Sequence, residues 1–240
     1  MFEQLDLPPV ARLLELGCGP ADLWSRNMGR IPEGWHVTLT DFSPGMLEEA
    51  QRNLRDSGRV FHYEQVDAQD IPYEDNCFDA VIANFMLYHV PDRGRACSEI
   101  ARVLKPGACL YAMTNGRTHM KRMRDLVEIL APPAERRDAP ETTAGTFDLE
   151  NGAEQLAPWF PHVELRRFED ALVVTEVEPL VAYVLSTMQA HELLSGLPKD
   201  EIEQRVAELG AAVEREIADR GTIEMDKDAG LFIARGGEQR

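Results

Sequence analysis

The chain predicts an α/β fold built on a doubly wound parallel sheet, and three observations lead there. Over the first 115 residues, apolar and β-branched segments alternate with helix-like ones. Strands separated by helices imply parallel βαβ units with helices on both faces of the sheet. The stretch LLELGCGPADLW, residues 13 to 24, runs from an apolar segment through Gly-Cys-Gly-Pro into a helical reading. That is the turn by which such a sheet brings backbone close to a nucleotide-like ligand. Finally, 240 residues, 44% of them hydrophobic, suffice for one sizeable core.

The elements follow in order. Val10–Leu16 is an apolar strand ending at the glycine bend, and Ala21–Arg30 reads as a helix. His36–Thr40 is a second strand. Ser43 then precedes Pro-Gly-Met-Leu-Glu-Glu-Ala, a capping residue before a first-turn proline. Val60–Val66, Ala80–Phe85 and Ala108–Thr114 are further strands, with Arg93–Val103 a helix between the last two.

Beyond Asn115 the pattern changes. Arg117–Leu130 places Met120, Met123, Val127 and Leu130 on one helical face. Ala131–Gly145, with three prolines and mixed charges, reads as a flexible surface loop. Val163–Phe168 and Leu172–Thr175 read as strands, and Glu178–His191 as a helix. Ile202, Val206, Leu209, Val213 and Ile217 step by three and four, an amphipathic helix. TIEMDKDAGLFIAR has two alternating segments around Lys-Asp-Ala-Gly, a hairpin signal. One domain over 1–240 is expected, with a helical insertion, a ligand-binding half over 1–115 and a substrate-side half over 116–240.

Charge and composition narrow the function. The formal net charge of −17 disfavours a phosphate backbone as main partner, although one arginine can still receive a small anion. Cysteines 18, 77, 97 and 109 show neither CxxC spacing nor a cluster with histidines, so no metal site and no disulfide framework are expected. No apolar run reaches membrane-spanning length, and the start MFEQLDLPPVAR lacks the marks of a signal peptide. A cytoplasmic protein without membrane partners is the expectation.

Asp41, at the end of the second strand and 22 residues after Gly19, is placed to accept hydrogen bonds from both ribose hydroxyls of a nucleoside. Two ligand classes fit a glycine bend with a ribose acid: a dinucleotide and S-adenosylmethionine. A pyrophosphate fingerprint wants a third glycine three residues after Gly19, where this chain has Asp22, whose carboxylate repels pyrophosphate. S-adenosylmethionine carries no phosphate, and the residues favour it. Ser43 rather than Asp41 is expected to cap the following helix.

LLELGCGPA, then LTDFSPGML, then VDAQDIPYEDNCFDAVIANFMLYHVPD, then EIARVLKPGACLYAMTN occur in that order. Over residues 11 to 115 the chain thereby resembles the class I S-adenosylmethionine-dependent methyltransferases, nearest the small-molecule enzymes of the ubiquinone/menaquinone type. The resemblance implies a Rossmann-like, doubly wound, seven-stranded sheet, mostly parallel with an antiparallel C-terminal strand, and a helical insertion or cap after the fifth strand. It implies methyl transfer to a small organic acceptor by in-line displacement. It places Glu15, Gly17, Cys18, Gly19 and Pro20 around the methionine part of the cofactor, Asp41 on the ribose, and Phe42 and Met46 near the adenine. Asp67 and Ala68 fall on the adenine edge, and Asn84 and Phe85 beneath the sulfonium. In two places the chain departs from the pattern: Ala21 stands where the family usually has a third glycine, which requires that residue to be helical, and only about ten residues precede the first strand. Either the start is truncated or the site is closed from elsewhere.

A neutral lining of Asn84, Phe85, Tyr88 and Met113 suits a reaction in which positive charge on sulfur is lost. An acidic acceptor also needs a base, and His89, His119 and Tyr88 are the candidates. Nothing at the fourth strand resembles the Asx-Pro-Pro-aromatic loop that grips an extruded nucleobase, so nucleic acid is not the expected substrate. Apolar helices after Asn115 permit a homodimer. The alternative function is a non-catalytic protein that binds S-adenosylmethionine as a regulator or assembly partner.

Overall fold

The computed structural model describes residues 1–132, 136, 147–168 and 170–237. In chain order the first elements are β1 (Val10–Leu16), α1 (Asp22–Ser25), β2 (Gly34–Asp41), α2 (Pro44–Leu54) and β3 (His62–Gln65). Next come β4 (Phe78–Asn84), α3 (Arg93–Val103), β5 (Leu104–Asn115), α4 (Lys121–Val127), α5 (Gly152–Leu156) and β6 (His162–Phe168). The last are β7 (Ala171–Val174), α6 (Val177–Leu185), α7 (Met188–Leu194), α8 (Lys199–Arg220), β8 (Ile223–Asp226) and β9 (Ala229–Arg235).

The chain divides into two compact units. The first comprises Met1–Gly116, Gly145–Arg167 and Ala229–Arg240, and holds a seven-stranded sheet in the order β3-β2-β1-β4-β5-β9-β6. β1 pairs in parallel with β2 on one side and with β4 on the other. The strand order therefore turns outward from β1 in both directions, which opens a crevice beyond the C-terminal ends of β1 and β4. β9 runs antiparallel to β5, with Met113 opposite Leu231. Leu13, Leu14 and Leu16 are fully buried, as befits a central parallel strand covered on both faces. Leu14, Val81, Leu110, Ile100 and Phe232 share one core cluster of this unit.

The second unit comprises Arg117–Ala144 and Phe168–Asp228. Its own core gathers Met123, Leu126, Leu180, Val184, Leu209, Val213 and Ile223, and β7 pairs antiparallel with β8. No helix among the described residues is long and apolar enough to cross a membrane.

Several expected elements are redrawn. The segment Ala21–Arg30 is a helix only over α1, followed by a 3-10 turn at Met28–Arg30. The Asn27 side chain donates to the Leu23 carbonyl at 2.7 Å, a local bond that competes with helix continuation. Ala21 itself is left-handed (φ 62°) rather than helical, with its methyl group fully buried. The helix expected over 178–191 is two, α6 and α7, because the Thr187 hydroxyl caps the second by accepting from the Ala190 N–H. The helix expected over 117–130 starts only at Lys121, behind a left-handed Met120. The hairpin expected across Lys227 does not form, since β8 pairs with β7 and β9 with β5. Alternation reports which face a strand buries and not which strand lies beside it, and Lys227 is held by Asp170, whose carbonyl accepts its N–H at 2.8 Å. Of the loop expected over 131–145, residues 133–135 and 137–145 lie outside the described residues.

Candidate active site

The glycine bend sits where β1 ends. Gly17 has φ 64°, and a Cβ there would come within 2.7 Å of the Met86 Cβ, so both backbone conformation and close approach demand glycine. Gly19, at φ 52°, donates its N–H to Asp41 Oδ2 at 2.9 Å. Asp41 Oδ1 accepts the Ser43 N–H, also at 2.9 Å. Two backbone amides thus orient the carboxylate at the tip of β2, and each oxygen retains acceptor capacity. Ser43 occupies the cap position of α2 but makes no capping side-chain bond, contrary to the sequence expectation. The Asp41 carboxylate engages that turn instead.

A cleft of about 510 Å³ opens here, lined by Asp41, Phe42, Met46, Asp67, Ala68 and Phe85 among others. Phe42 is 71% exposed, and a large apolar ring left uncovered at a concave site marks a ligand surface. Asp67 Oδ1 accepts from the N–H of Gln69 and, together with Oδ2, from its side-chain amide, at 2.9 to 3.1 Å. These bonds hold the Asp67 carboxyl below its usual range, so it stands ionised at neutral pH.

A second cleft of about 620 Å³ shares Gly17, Gly19 and Phe85 with the first and adds Glu15, Cys18, Pro20, Asn84 and Met113. Glu15 is 2% exposed. Its Oε2 accepts from the Trp24 indole at 2.5 Å and its Oε1 from the Asn84 amide at 3.2 Å, without a cation in this set. Burial pushes its pKa up to about 8, so at neutral pH the isolated site is mostly uncharged. Asn84 Oδ1 is buried without a partner. The Cys18 thiol is likewise driven up by burial and is no nucleophile. Phe85 has φ 50°, an outlier for a bulky residue, kept in place by its N–H donating to the Met113 carbonyl at 3.0 Å. Strain of this kind collects at functional sites.

The structure therefore gathers Gly17, Gly19, Asp41, Phe42, Met46, Asp67, Ala68, Phe85 and His89 on the first cleft. Glu15, Cys18, Pro20 and Asn84 lie on the second. Tyr88 is half-buried against the core, its ring 4.4 Å from that of His89, and burial raises its pKa. His119 belongs to the second unit, where Nδ1 lies 3.1 Å from the Asp228 carbonyl and burial lowers its pKa. The lining expected from sequence is neutral; the second cleft adds Glu15, mostly uncharged through burial, together with Glu3, Asp22, Arg26 and Arg30, and leaves Tyr88 out. Residues 1–3 also line the second cleft, and the Phe2 ring meets Trp24 edge-on at 6.3 Å. Sequence reasoning missed Trp24 and Gln69. No local spacing announces the first, whereas the Asp-x-Gln turn was a readable signal for the second.

The family model described as "Methyltransferase domain" matches residues 14–112. The ubiquinone/menaquinone biosynthesis C-methyltransferase of Vibrio cholerae is 39% identical over 107 residues, covering 44% of this chain and 41% of that protein. Its counterpart from Shewanella pealeana is 32% identical over 130 residues, 53% of this chain and 52% of the relative. The chain thus spans about half or less of the length of these relatives. Among solved structures, the YcgJ protein of Bacillus subtilis superposes with a TM-score of 0.58 at 16% identity, covering 100% of this chain and 97% of its own. Phosphoethanolamine N-methyltransferase 2 of Haemonchus contortus, solved in complex with S-adenosyl-L-methionine, gives a TM-score of 0.53 at 18% identity over 96% of this chain and 49% of its own. At such identities these two speak for the fold alone. Over residues 14–112 the chain is thus similar to a methyltransferase domain, and the sheet order agrees with that likeness.

Proposed function

We propose that the chain is an S-adenosylmethionine-dependent methyltransferase acting on a small organic acceptor. One observation carries the reading: two clefts meet at Gly17, Gly19 and Phe85, one lined by acceptor-only carboxylates, the other by a buried carboxyl lacking a cation. The residues fit the cofactor. Asp41 is oriented to accept from ribose hydroxyls, Asp67 and the Ala68 N–H to read the adenine edge, and Phe42 and Met46 offer apolar faces to the base. Glu15 and the unpartnered Asn84 Oδ1 supply acceptors for the ammonium of the methionine part.

Bound there, S-adenosylmethionine supplies an electrophilic methyl group on a sulfonium. The chain's work is then positional, since holding donor and acceptor in line supplies roughly 7–11 kcal/mol of a barrier. Asn84, Phe85 and Met113 present no fixed charge to the sulfur, which avoids stabilising the cationic ground state. Among the three bases read from the sequence, His89 lines a cleft and is assigned the proton of an acidic acceptor. His119 and Tyr88, the other two bases read from the sequence, have no part in this proposal. Nucleic acid and a membrane surface are outside this proposal; a homodimer is compatible with it.

The test is calorimetric titration of the full chain with S-adenosylmethionine and S-adenosylhomocysteine, followed by cofactor turnover against an acceptor panel. Binding with turnover is expected. Absence of binding by both compounds contradicts the proposal.

A further inference from the structure

We infer that Gln69 is a positioning residue that fixes Asp67 as an acceptor for the exocyclic amine of adenine, and so sets which nucleobase the first cleft takes. The inference deepens the cofactor reading proposed above and rests on it. Gln69 lines the same cleft as Asp67. Its side-chain nitrogen donates to both Asp67 oxygens, at 2.9 and 3.1 Å, while its Oε1 accepts the Asp92 N–H at 3.0 Å. A carboxylate only accepts and a backbone N–H only donates, so the two ends of the amide admit one orientation.

The far end of this bridge is well anchored. Asp92 is the cap of α3, its side chain accepting the Arg95 N–H at 3.0 Å. Gln69 therefore ties the cleft acid to the start of a rigid helix, across the segment that carries Phe85, Met86 and His89. With three donated bonds already on Asp67, about one of the roughly four carboxylate lone pairs is left over. A single directed acceptor of this kind matches an amine at position 6 of a purine and repels a keto oxygen there. Without Gln69 the Asp67 side chain can rotate out of register, and the choice between the two bases weakens while the rest of the cleft stands.

The experiment compares S-adenosylhomocysteine with S-inosylhomocysteine, in which that amine is a keto group, by titration calorimetry. Wild type, Gln69→Met and Gln69→Ala are measured, with melting curves on the same samples. Losing a hydrogen bond to a charged acceptor costs about tenfold in affinity. The adenosyl compound is therefore expected to weaken about tenfold in both variants while the inosyl compound changes less than twofold. In Asp67→Ala the preference collapses, and adding Gln69→Met changes nothing further. Equal weakening of both ligands means a merely structural role and overturns the inference, as does an unchanged preference. If wild type binds neither compound, the cofactor reading itself fails, a result distinct from either of these.

Discussion

In the first cleft each acid meets N–H donors before any ligand arrives. Asp41 is held by the amides of Gly19 and Ser43, and Asp67 by Gln69. In the second cleft Glu15 is buried with only an indole and a carboxamide beside it, and the Asn84 oxygen has nothing to accept. One region is pre-organised for hydroxyl and amine donors; the other holds acceptor capacity that a cation would satisfy. On the proposed reading, the difference suits a ligand with a neutral sugar at one end and positive charge at the other. Hydrogen bonds hold the half-buried Asp67 carboxyl below its usual range, whereas burial raises that of Glu15 to about 8.

The largest expected effect breaks both regions together. Gly17 lines both clefts, and Gly17→Ala combines a left-handed backbone cost of about 1–2 kcal/mol with overlap against Met86 worth about 1–3 kcal/mol. A loss of about 3 kcal/mol lowers the melting temperature by roughly 10 °C in a domain of this size. A melting temperature within about 2 °C of wild type would show that Met86 yields freely.

Glu15→Gln sharpens the comparison by touching the second cleft alone. The folded pKa, about 8, lies above the unfolded value of 4.5, so the folded chain carries an extra proton between those limits. Wild-type stability from this group is therefore full below about 4.5 and is lost as pH rises toward 8. Gln does not titrate, and its advantage over wild type should grow from near zero at about pH 5 to about 2–4 kcal/mol at about pH 9. Asp67, with a depressed pKa, runs the other way, its contribution being lost only as pH falls into the acid range. Chemical denaturation of wild type and variant across pH checks this, and a gap that does not change with pH contradicts it.

The smallest effect concerns Ala21. Glycine there relieves left-handed strain of about 1–2 kcal/mol but forfeits a buried methyl and frees the unfolded chain, each worth about 0.5–1 kcal/mol. Ala21→Gly should shift stability by no more than about 0.5–1 kcal/mol, and because Ala21 lines neither cleft, cofactor affinity should not move. A clear gain in affinity would mean that the methyl group intrudes on the site.

What could be read in the sequence was what local signals determine. A largely apolar run ending in glycine marks β1, interrupted only by Arg12 and Glu15, and Asp41 follows from the length of one βα unit. Trp24 reaching Glu15, Gln69 spanning to Asp92 and Phe85 at positive φ are tertiary facts with no periodicity behind them. The hairpin failed for the same reason: β8 alternates but β9 buries Gly230, Leu231 and Phe232 in succession, and strand partners are chosen by the whole sheet. Ala21 shows the limit of a motif, because a missing glycine did not restore helical backbone at that position.

The most direct measurement is titration of S-adenosylhomocysteine into wild type and Asp41→Ala at neutral pH, with folding verified by melting. Two charge-assisted bonds to the ribose, at about 1.5–3 kcal/mol each, predict at least about a hundredfold weaker binding in the variant. Equal affinity in the two proteins would contradict the assignment of Asp41, and with it the placement of the cofactor in these clefts.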